Sequence, residues 1–335
     1  MYALPDWPQP ERADLRGRYR TRPEHFRVVE RMPGPPDGAG EHLLCEVEKR
    51  GLNTADVAAR LASIVGVRAS EAGWCGAKDR HAVTRQWFSL RDPGERGWPA
   101  GAPTEATGPD GGSWRLLATA RHGRKLRRGD HAANAFELVL ELDAPVRETA
   151  GALAARLAAG VPNYFGPQRF GRDGANLARA RRWAEQGARL PGRGAQRGYV
   201  LSAARSLLFN EVVAARVRAG VLDRPVDGDV LDEDGIPTAP LWGRGRSPAR
   251  GAAAELEAAA LAPWAAWCEA LEHAGLVQER RAALLRPRAP VLRLEADRLE
   301  LAFELPAGAF ATALLPALGT FVDAAAGRGT RTEAA

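Results

Sequence analysis

Residues 76–90 read GAKDRHAVTRQWFSL, a charged turn set directly in front of a strand-type segment. Gly76 opens the turn, and Lys78, Asp79, Arg80 and His81 follow in immediate succession. Ala82 to Leu90, with Val83, Thr84, Trp87 and Phe88, is read as a strand. A glycine-led turn attached to a rigid strand presents its carboxylate at a fixed height. An aspartate placed in that way can serve as nucleophile, general base or metal ligand. On spacing alone, a solvated loop aspartate gives the same pattern.

Outward from this stretch the chain changes character twice. On its N-terminal side, His25–Arg31 and His42–Glu48 carry β-type runs joined by the turn-rich PGPPDGAGE. Asn53-Thr54 then precedes Val57, Leu61, Ile64 and Val65, a helical stripe behind an N-cap. On its C-terminal side, residues 92–113 read as a surface loop. Asn134, Phe136, Leu138, Leu140 and Leu142 share one face of a further strand, with Glu137 and Glu141 on the other. Helical spacing takes over at about 149, over Thr149–Ala159, Asn176–Ala188, Ser202–Ala219 and Pro263–Ala274, with PGRGAQRG and WGRGRSPARG as intervening loops. After Gly275 strands return. Pro290–Glu295 and Arg298–Leu305 pair about Ala296-Asp297, a helix runs from about Phe310 to Gly319, and residues 324–335 are expected to fray. A strand-rich start and end around a helical middle predict a discontinuous α+β domain with an insertion.

Composition narrows the function. The 335 residues hold 47 Lys+Arg against 41 Asp+Glu, a net charge of +6, which suits a polyanionic partner. Only Lys49, Lys78 and Lys125 are lysines, so the ammonium is the rare cation in this chain. Cys45, Cys75 and Cys268 form no CxxC pair, and the histidines show no HxxxH spacing, so no zinc site or disulfide framework is expected. The N-terminus lacks the apolar core of a signal peptide, and no apolar run is long enough to span a bilayer. A cytoplasmic protein is expected, and the lack of heptads or long apolar surface helices favours a monomer.

Three further segments could contact a polyanion. Arg121–Arg128 (RHGRKLRR) contains Arg124, Lys125 and Arg127 beside Arg121 and Arg128, either a phosphate-contacting edge or a solvated charge run. Asn163–Gly171 (NYFGPQRFG) interleaves Tyr164, Phe165 and Phe170 with Arg169, a pattern that suits RNA or a packed connecting loop. Leu305–Thr312 (LPAGAFAT) places Phe310 after a glycine turn.

Taken in order, these segments resemble the TruD family of tRNA pseudouridine synthases. The matching blocks are PEHFRVVE (23–30), GAKDRHAVTRQW (76–87), RHGRKLRRGDHAANAF (121–136), VPNYFGPQRFG (161–171), SAARSLLFNEVVA (202–214), PTAPLWG (237–243), QERRAALLRP (278–287) and LPAGAFAT (305–312). The resemblance implies a pseudouridine-synthase catalytic domain of α+β class with a mixed, mainly antiparallel sheet, formed by residues 1–159 and 286–335. It further implies an inserted α/β TRUD domain at 160–285. By the same resemblance the enzyme converts uridine to pseudouridine in tRNA at position 13 of the D-stem region, without cofactor or metal. Asp79 corresponds to the catalytic aspartate. Phe136, Asn134, Phe26 and Phe310 correspond to groups around the target base. Lys78 lies in the same block and is expected to contact substrate, and Arg20 stands where a basic partner of the aspartate, often lysine, is expected. Arg124, Lys125, Arg127 and Arg169 are expected at the RNA backbone. Lys49 falls outside every matching block. Two other readings fit the same residues, a synthase of this family acting on another RNA or position and a non-catalytic RNA-binding protein. An RNA hydrolase would require paired carboxylates or a metal cluster.

Overall fold

The computed structural model describes residues 4–10, 13–190, 192 and 194–326. In chain order its first elements are β1 (Leu15–Tyr19), β2 (Phe26–Arg31), β3 (His42–Arg50), α1 (Thr54–Val65), β4 (Gly73–Trp74), β5 (Val83–Arg91), β6 (Glu105–Thr107), β7 (Ser113–His122), β8 (Ala133–Leu142) and α2 (Ala150–Ala159). There follow β9 (Val161–Pro162), α3 (Ala175–Gln186), α4 (Ala195–Arg218), β10 (Thr238–Leu241), α5 (Gly251–Leu261), α6 (Ala265–His273), β11 (Glu279–Ala282) and β12 (Leu284–Leu285). The chain then returns to β13 (Arg288–Leu294), β14 (Arg298–Pro306), α7 (Leu315–Leu318) and β15 (Gly319–Asp323).

Two compact units result. One comprises Ala13–Ala158, Pro287–Ala311 and the described residues from Leu318 onward, and the other is built on Ala159–Arg286 together with Thr312–Ala317 and residues 4–10.

The first unit is one mixed sheet, ordered β13-β14-β8-β2-β5-β3-β7-β6. β2–β5 and β1–β15 are parallel, and every other pair is antiparallel. Side chains fix the register. Val57, Leu61 and Val65 of α1 bury against Leu43, Cys45 and Val47 of β3 and against Phe88 and Leu90 of β5. A one-residue slip would turn this apolar set away from the helix. β1 and β2 follow each other along the same stretch of β8, Tyr19 opposite Leu140 and Phe26 opposite Leu138. Residues 20–25 therefore make the bend between them, and Arg20 occupies the left-handed region there, at φ 56.

The second unit packs α3, α5, α6 and β10 around α4, whose Leu207, Leu208, Phe209 and Val213 are buried. Asn210 from this helix bonds both backbone groups of Phe165, accepting from N–H at 2.9 Å and donating to C=O at 3.0 Å. The Arg216–Asp229 pair, both side chains 2% exposed, closes the far end of α4.

Several sequence expectations change here. The stretch expected to be a loop at 92–113 contains β6 and ends at the start of β7. The helix expected from Ser202 begins at Ala195, so the second half of PGRGAQRG is helical despite Gly198. The helix expected from Phe310 is a 3-10 turn at Ala311–Ala313 followed by the short α7. Gly319, read as its terminator, instead opens β15, where a Cβ would collide with the Leu15 carbonyl. Of the expected frayed tail, 324–326 form a turn and 327–335 lie outside the described residues.

Candidate active site

Residues 76–81 have no regular backbone pattern, yet side chains from four elements hold them. Gln86 of β5 donates to the Gly76 carbonyl at 3.2 Å, and Thr54 of α1 accepts from the Lys78 amide at 2.9 Å. Thr54 in turn donates to Gln86 at 3.1 Å. Lys49 of β3 reaches the Asp79 carbonyl at 2.9 Å, and Glu30 of β2 pairs with the Lys78 ammonium at 2.6 Å. Such a fully bonded loop positions a side chain as firmly as a strand would.

Asp79 emerges from this turn partly open, its side chain 31% exposed. One carboxylate oxygen accepts from the His81 amide at 2.9 Å, and the other pairs with the Arg20 guanidinium. Arg20 is 8% exposed and lies between two carboxylates. Its second partner is Asp323 at the end of β15, which accepts from Nε at 3.0 Å and from a terminal nitrogen. This fork-to-fork pairing aims the remaining terminal nitrogen at Asp79. Burial alone would lower the Arg20 pKa. The hydrogen bond to Asp323 and the charges of Asp79 and Asp323 outweigh it, and the net shift is upward. Tyr19, next in the chain, is pushed up to about 12 by burial and by the charge of Asp323.

The Arg20 guanidinium lies over the rings of Tyr19, at 5.3 Å, and Phe26, at 5.7 Å. Phe26 meets Phe136 edge-on at 6.3 Å, and Phe136 stacks on Phe303 of β14 at 5.4 Å. Arg20, Phe26 and Phe136 thus form a continuous cation–aromatic wall leading from the carboxylate. Phe136 already has a ring on one face and another at its edge, so it is a wall of the site and not an open platform. Asn134, two residues earlier on β8, is buried and bonds the His131 ring at 3.1 Å, while its amide oxygen has no hydrogen-bond partner. Phe310 lies beyond β14 and is 39% exposed.

Four of the expected contact residues are turned inward or engaged elsewhere. Lys78 does not face outward to substrate, because its ammonium is buried on the fully enclosed Glu30. Lys125 donates to the Ser70 carbonyl at 2.7 Å, and Arg124 pairs with Asp130 at 2.6 Å, leaving Arg127 exposed beside them. Arg169 belongs to the other unit, where it lies over Phe165 at 5.0 Å and donates to Ser202 at 3.1 Å. Of the two readings of Tyr164, Phe165 and Phe170, an RNA-facing series or a packed connecting loop, the structure has the packed one, since all three are core residues.

Among the described residues one group of metal-type donors converges, Glu30, Cys75 and His131. Lys78 already supplies a cation to Glu30, and burial pushes the Cys75 thiol up to about 12. The set is better suited to a neutralised polar core than to a metal ion.

Sequence reasoning missed Asp323, Glu30, Phe303 and Lys49. Asp323 and Phe303 carry no local signal, since long-range strand pairing alone delivers them. Lys49 had one, its rarity as a lysine.

A sequence profile described as "tRNA pseudouridine synthase D (TruD)" matches residues 10–177. The tRNA pseudouridine synthase D of Cellvibrio japonicus is 46% identical over 301 residues, covering 89% of this chain and 87% of its own. That of Chromohalobacter salexigens is 43% identical over 338 residues, covering 93% and 95%. A crystal structure from Methanosarcina mazei, titled as a tRNA pseudouridine synthase D, superposes with a TM-score of 0.63 at 20% identity over 93% of this chain and 95% of that one. Sheet architecture and profile together place the chain among enzymes of the pseudouridine-synthase class. Within that class it belongs to the TruD family.

Proposed function

We propose that this protein isomerises uridine to pseudouridine in tRNA, at position 13 in the D-stem region, with Asp79 as its catalytic residue. The observation that carries the reading is the Asp79 carboxylate itself: half-open, capped by the His81 amide and aimed by a buried Arg20 that a second carboxylate holds. A uridine within folded RNA must leave its stack, at a cost of a few kcal/mol, before its glycosidic carbon is reachable. Phe26 and Phe136, each 7% exposed, form the apolar wall beside which the extruded base is held, with the equally buried Asn134 two residues from Phe136 along the same strand. The N1–C1′ bond then breaks, the uracil turns in place, and C5 bonds to C1′. The C5 proton leaves and N1 gains one, so the product is an isomer. Neither redox change nor added group is required, so the chemistry calls for no cofactor.

In this reading, residues 160–285 form the family's inserted domain on a catalytic domain of 1–159 and 286–335. The exposed Arg127, with its neighbours Arg124 and Lys125, serves the RNA backbone, and the protein works as a cytoplasmic monomer. Among the described residues no helix is long and apolar enough to cross a membrane. The test is Asp79→Asn on unmodified tRNA, with pseudouridine mapped by position. Loss of product at position 13 with tRNA affinity within about tenfold supports the proposal, since binding rests on phosphate contacts. Substantial turnover by the variant refutes the assignment of Asp79, and product at another position refutes the site.

A further inference from the structure

Lys49 is a buried cation beneath the aspartate turn that the proposed chemistry leaves unused and that, unlike Lys78, has no carboxylate partner among the described residues. Strand alternation puts it on the same face of β3 as Leu43, Cys45 and Val47, which is the face covered by α1. It therefore occupies a core position, 1% exposed, where an apolar side chain would ordinarily pack. Among the described residues no carboxylate bonds to its ammonium. Instead Nζ donates to three backbone carbonyls, those of Leu52 at 2.9 Å, Asp79 at 2.9 Å and Lys78 at 3.4 Å. Three donors meeting three acceptors is the full capacity of an ammonium. Two of those acceptors belong to Lys78 and Asp79, and the third to the connection between β3 and α1.

We infer that Lys49 is a positioning residue for Asp79, its ammonium clamping the backbone of the turn so that the carboxylate stays aligned with Arg20. The inference rests on the reading of Asp79 as the catalytic residue. A guanidinium is a planar fork and cannot place one nitrogen at the meeting point of three carbonyls, which accounts for a lysine here in a chain whose cations are otherwise almost all arginine. The neighbours agree with this role. Opposite Lys49, β5 contributes Thr84 and β7 contributes Trp114, both uncharged, and α1 contributes Thr54. The charges acting on the ammonium are Asp79, which favours it, and Lys78, which opposes it. Desolvation dominates both and lowers the Lys49 pKa to about 8. Above that pH the amine has two donors for three carbonyls, and the clamp loosens.

The experiment compares Lys49→Met with Asp79→Asn and the wild-type protein, measuring kcat and KM for unmodified tRNA from pH 6.5 to 9.5, with circular dichroism to establish folding. Lys49→Met is expected to fold, to lose about 10²-fold in kcat with KM within about threefold, and to lack the wild-type decline in kcat centred near pH 8. A folded Lys49→Met with kcat within threefold of wild type, beside an inactive Asp79→Asn, overturns the inference and leaves the reading of Asp79 intact. An active Asp79→Asn overturns both. Should Lys49→Met fail to fold, Lys49→Arg takes its place: a tenfold or larger loss in kcat supports the clamp, and a smaller loss overturns it.

Discussion

Asp323→Asn isolates what the second carboxylate contributes, because the substitution preserves shape and removes only charge and one acceptor. In the wild-type protein Asp323 binds Arg20 through two atoms, and its own side chain is 18% exposed. Two unit charges about 4 Å apart interact by about 4 kcal/mol at an effective dielectric constant of 20. Part of that is returned when the carboxylate no longer has to shed its water, and the asparagine oxygen still accepts from Nε. A net destabilisation of about 2 kcal/mol follows, within the range for breaking a charged hydrogen bond. The effect on chemistry is the sharper one. With only one bond left to orient it, the guanidinium can swing, and an ångström of drift at the Asp79 contact costs about 10²-fold in rate. Single-turnover release of tritium from C5-labelled uridine in tRNA reads the step directly, since C5 must lose its hydrogen when it bonds to the ribose. The expected result is a rate lower by about 30- to 300-fold with tRNA affinity within about threefold. Tyr19 supplies an independent check. Its phenol, pushed up to about 12 partly by Asp323, should ionise at lower pH in the variant, visible as tyrosinate absorbance. A folded variant with the Tyr19 shift but an unchanged single-turnover rate would refute the argument that Asp323 aims Arg20.

Two other expectations follow from charge placement. Replacing Arg124, Lys125 and Arg127 together with glutamine should weaken tRNA binding and lower its salt slope by up to about 3. Arg124 and Lys125 are already engaged with Asp130 and Ser70, so the single Arg127→Gln substitution should account for the largest share, and an unchanged slope in the triple variant returns the run to a solvated surface. Lys49 should leave an alkaline signature in stability. Its folded pKa of about 8 lies below its ordinary 10.5, so between those values the unfolded chain binds more protons and stability rises with pH. The change from 10.5 to about 8 corresponds to roughly 3 kcal/mol across the window. It should appear as a pH-dependent difference in urea unfolding between wild type and Lys49→Met, and a flat difference contradicts it.

How far the sequence could be read depended on how local each feature was. α1 was legible because an N-cap residue and an apolar stripe lie together in the stretch from Asn53 to Val65. β8 was legible because Phe136, Leu138, Leu140 and Leu142 recur at every second position, with Glu137 and Glu141 on the other face. β1 and β15 were not. LRGRY alternates correctly, but its outward positions are arginines and its partner lies some 300 residues away. GTFVD begins with a glycine that any local rule takes for a helix end. Missing that pair meant missing Asp323, since only the β1–β15 register brings it beside Arg20. The Asp79–Arg20 pair was reachable only through family resemblance, because 59 residues separate its members.

The lysines show what a cation's identity encodes beyond its charge. Read by position, Lys78 and Lys125 suggested RNA contacts, and Lys49 suggested nothing. In the fold each places a single nitrogen on an internal acceptor: Lys78 on Glu30, Lys125 on the Ser70 carbonyl and Lys49 at the meeting of three carbonyls. An arginine can pair with a carboxylate at a surface and stack on a ring, as Arg20 does on Phe26, but it cannot converge on a point. Two of these three ammonium groups support the turn that carries Asp79, Lys78 through Glu30 of β2 and Lys49 from β3. Activity and stability should therefore part company in alkali. As pH rises past 8 the fold gains from no longer burying the Lys49 charge, while the turn loses a donor and the rate declines. A general loosening of the protein would move both quantities in the same direction, so their divergence marks the clamp.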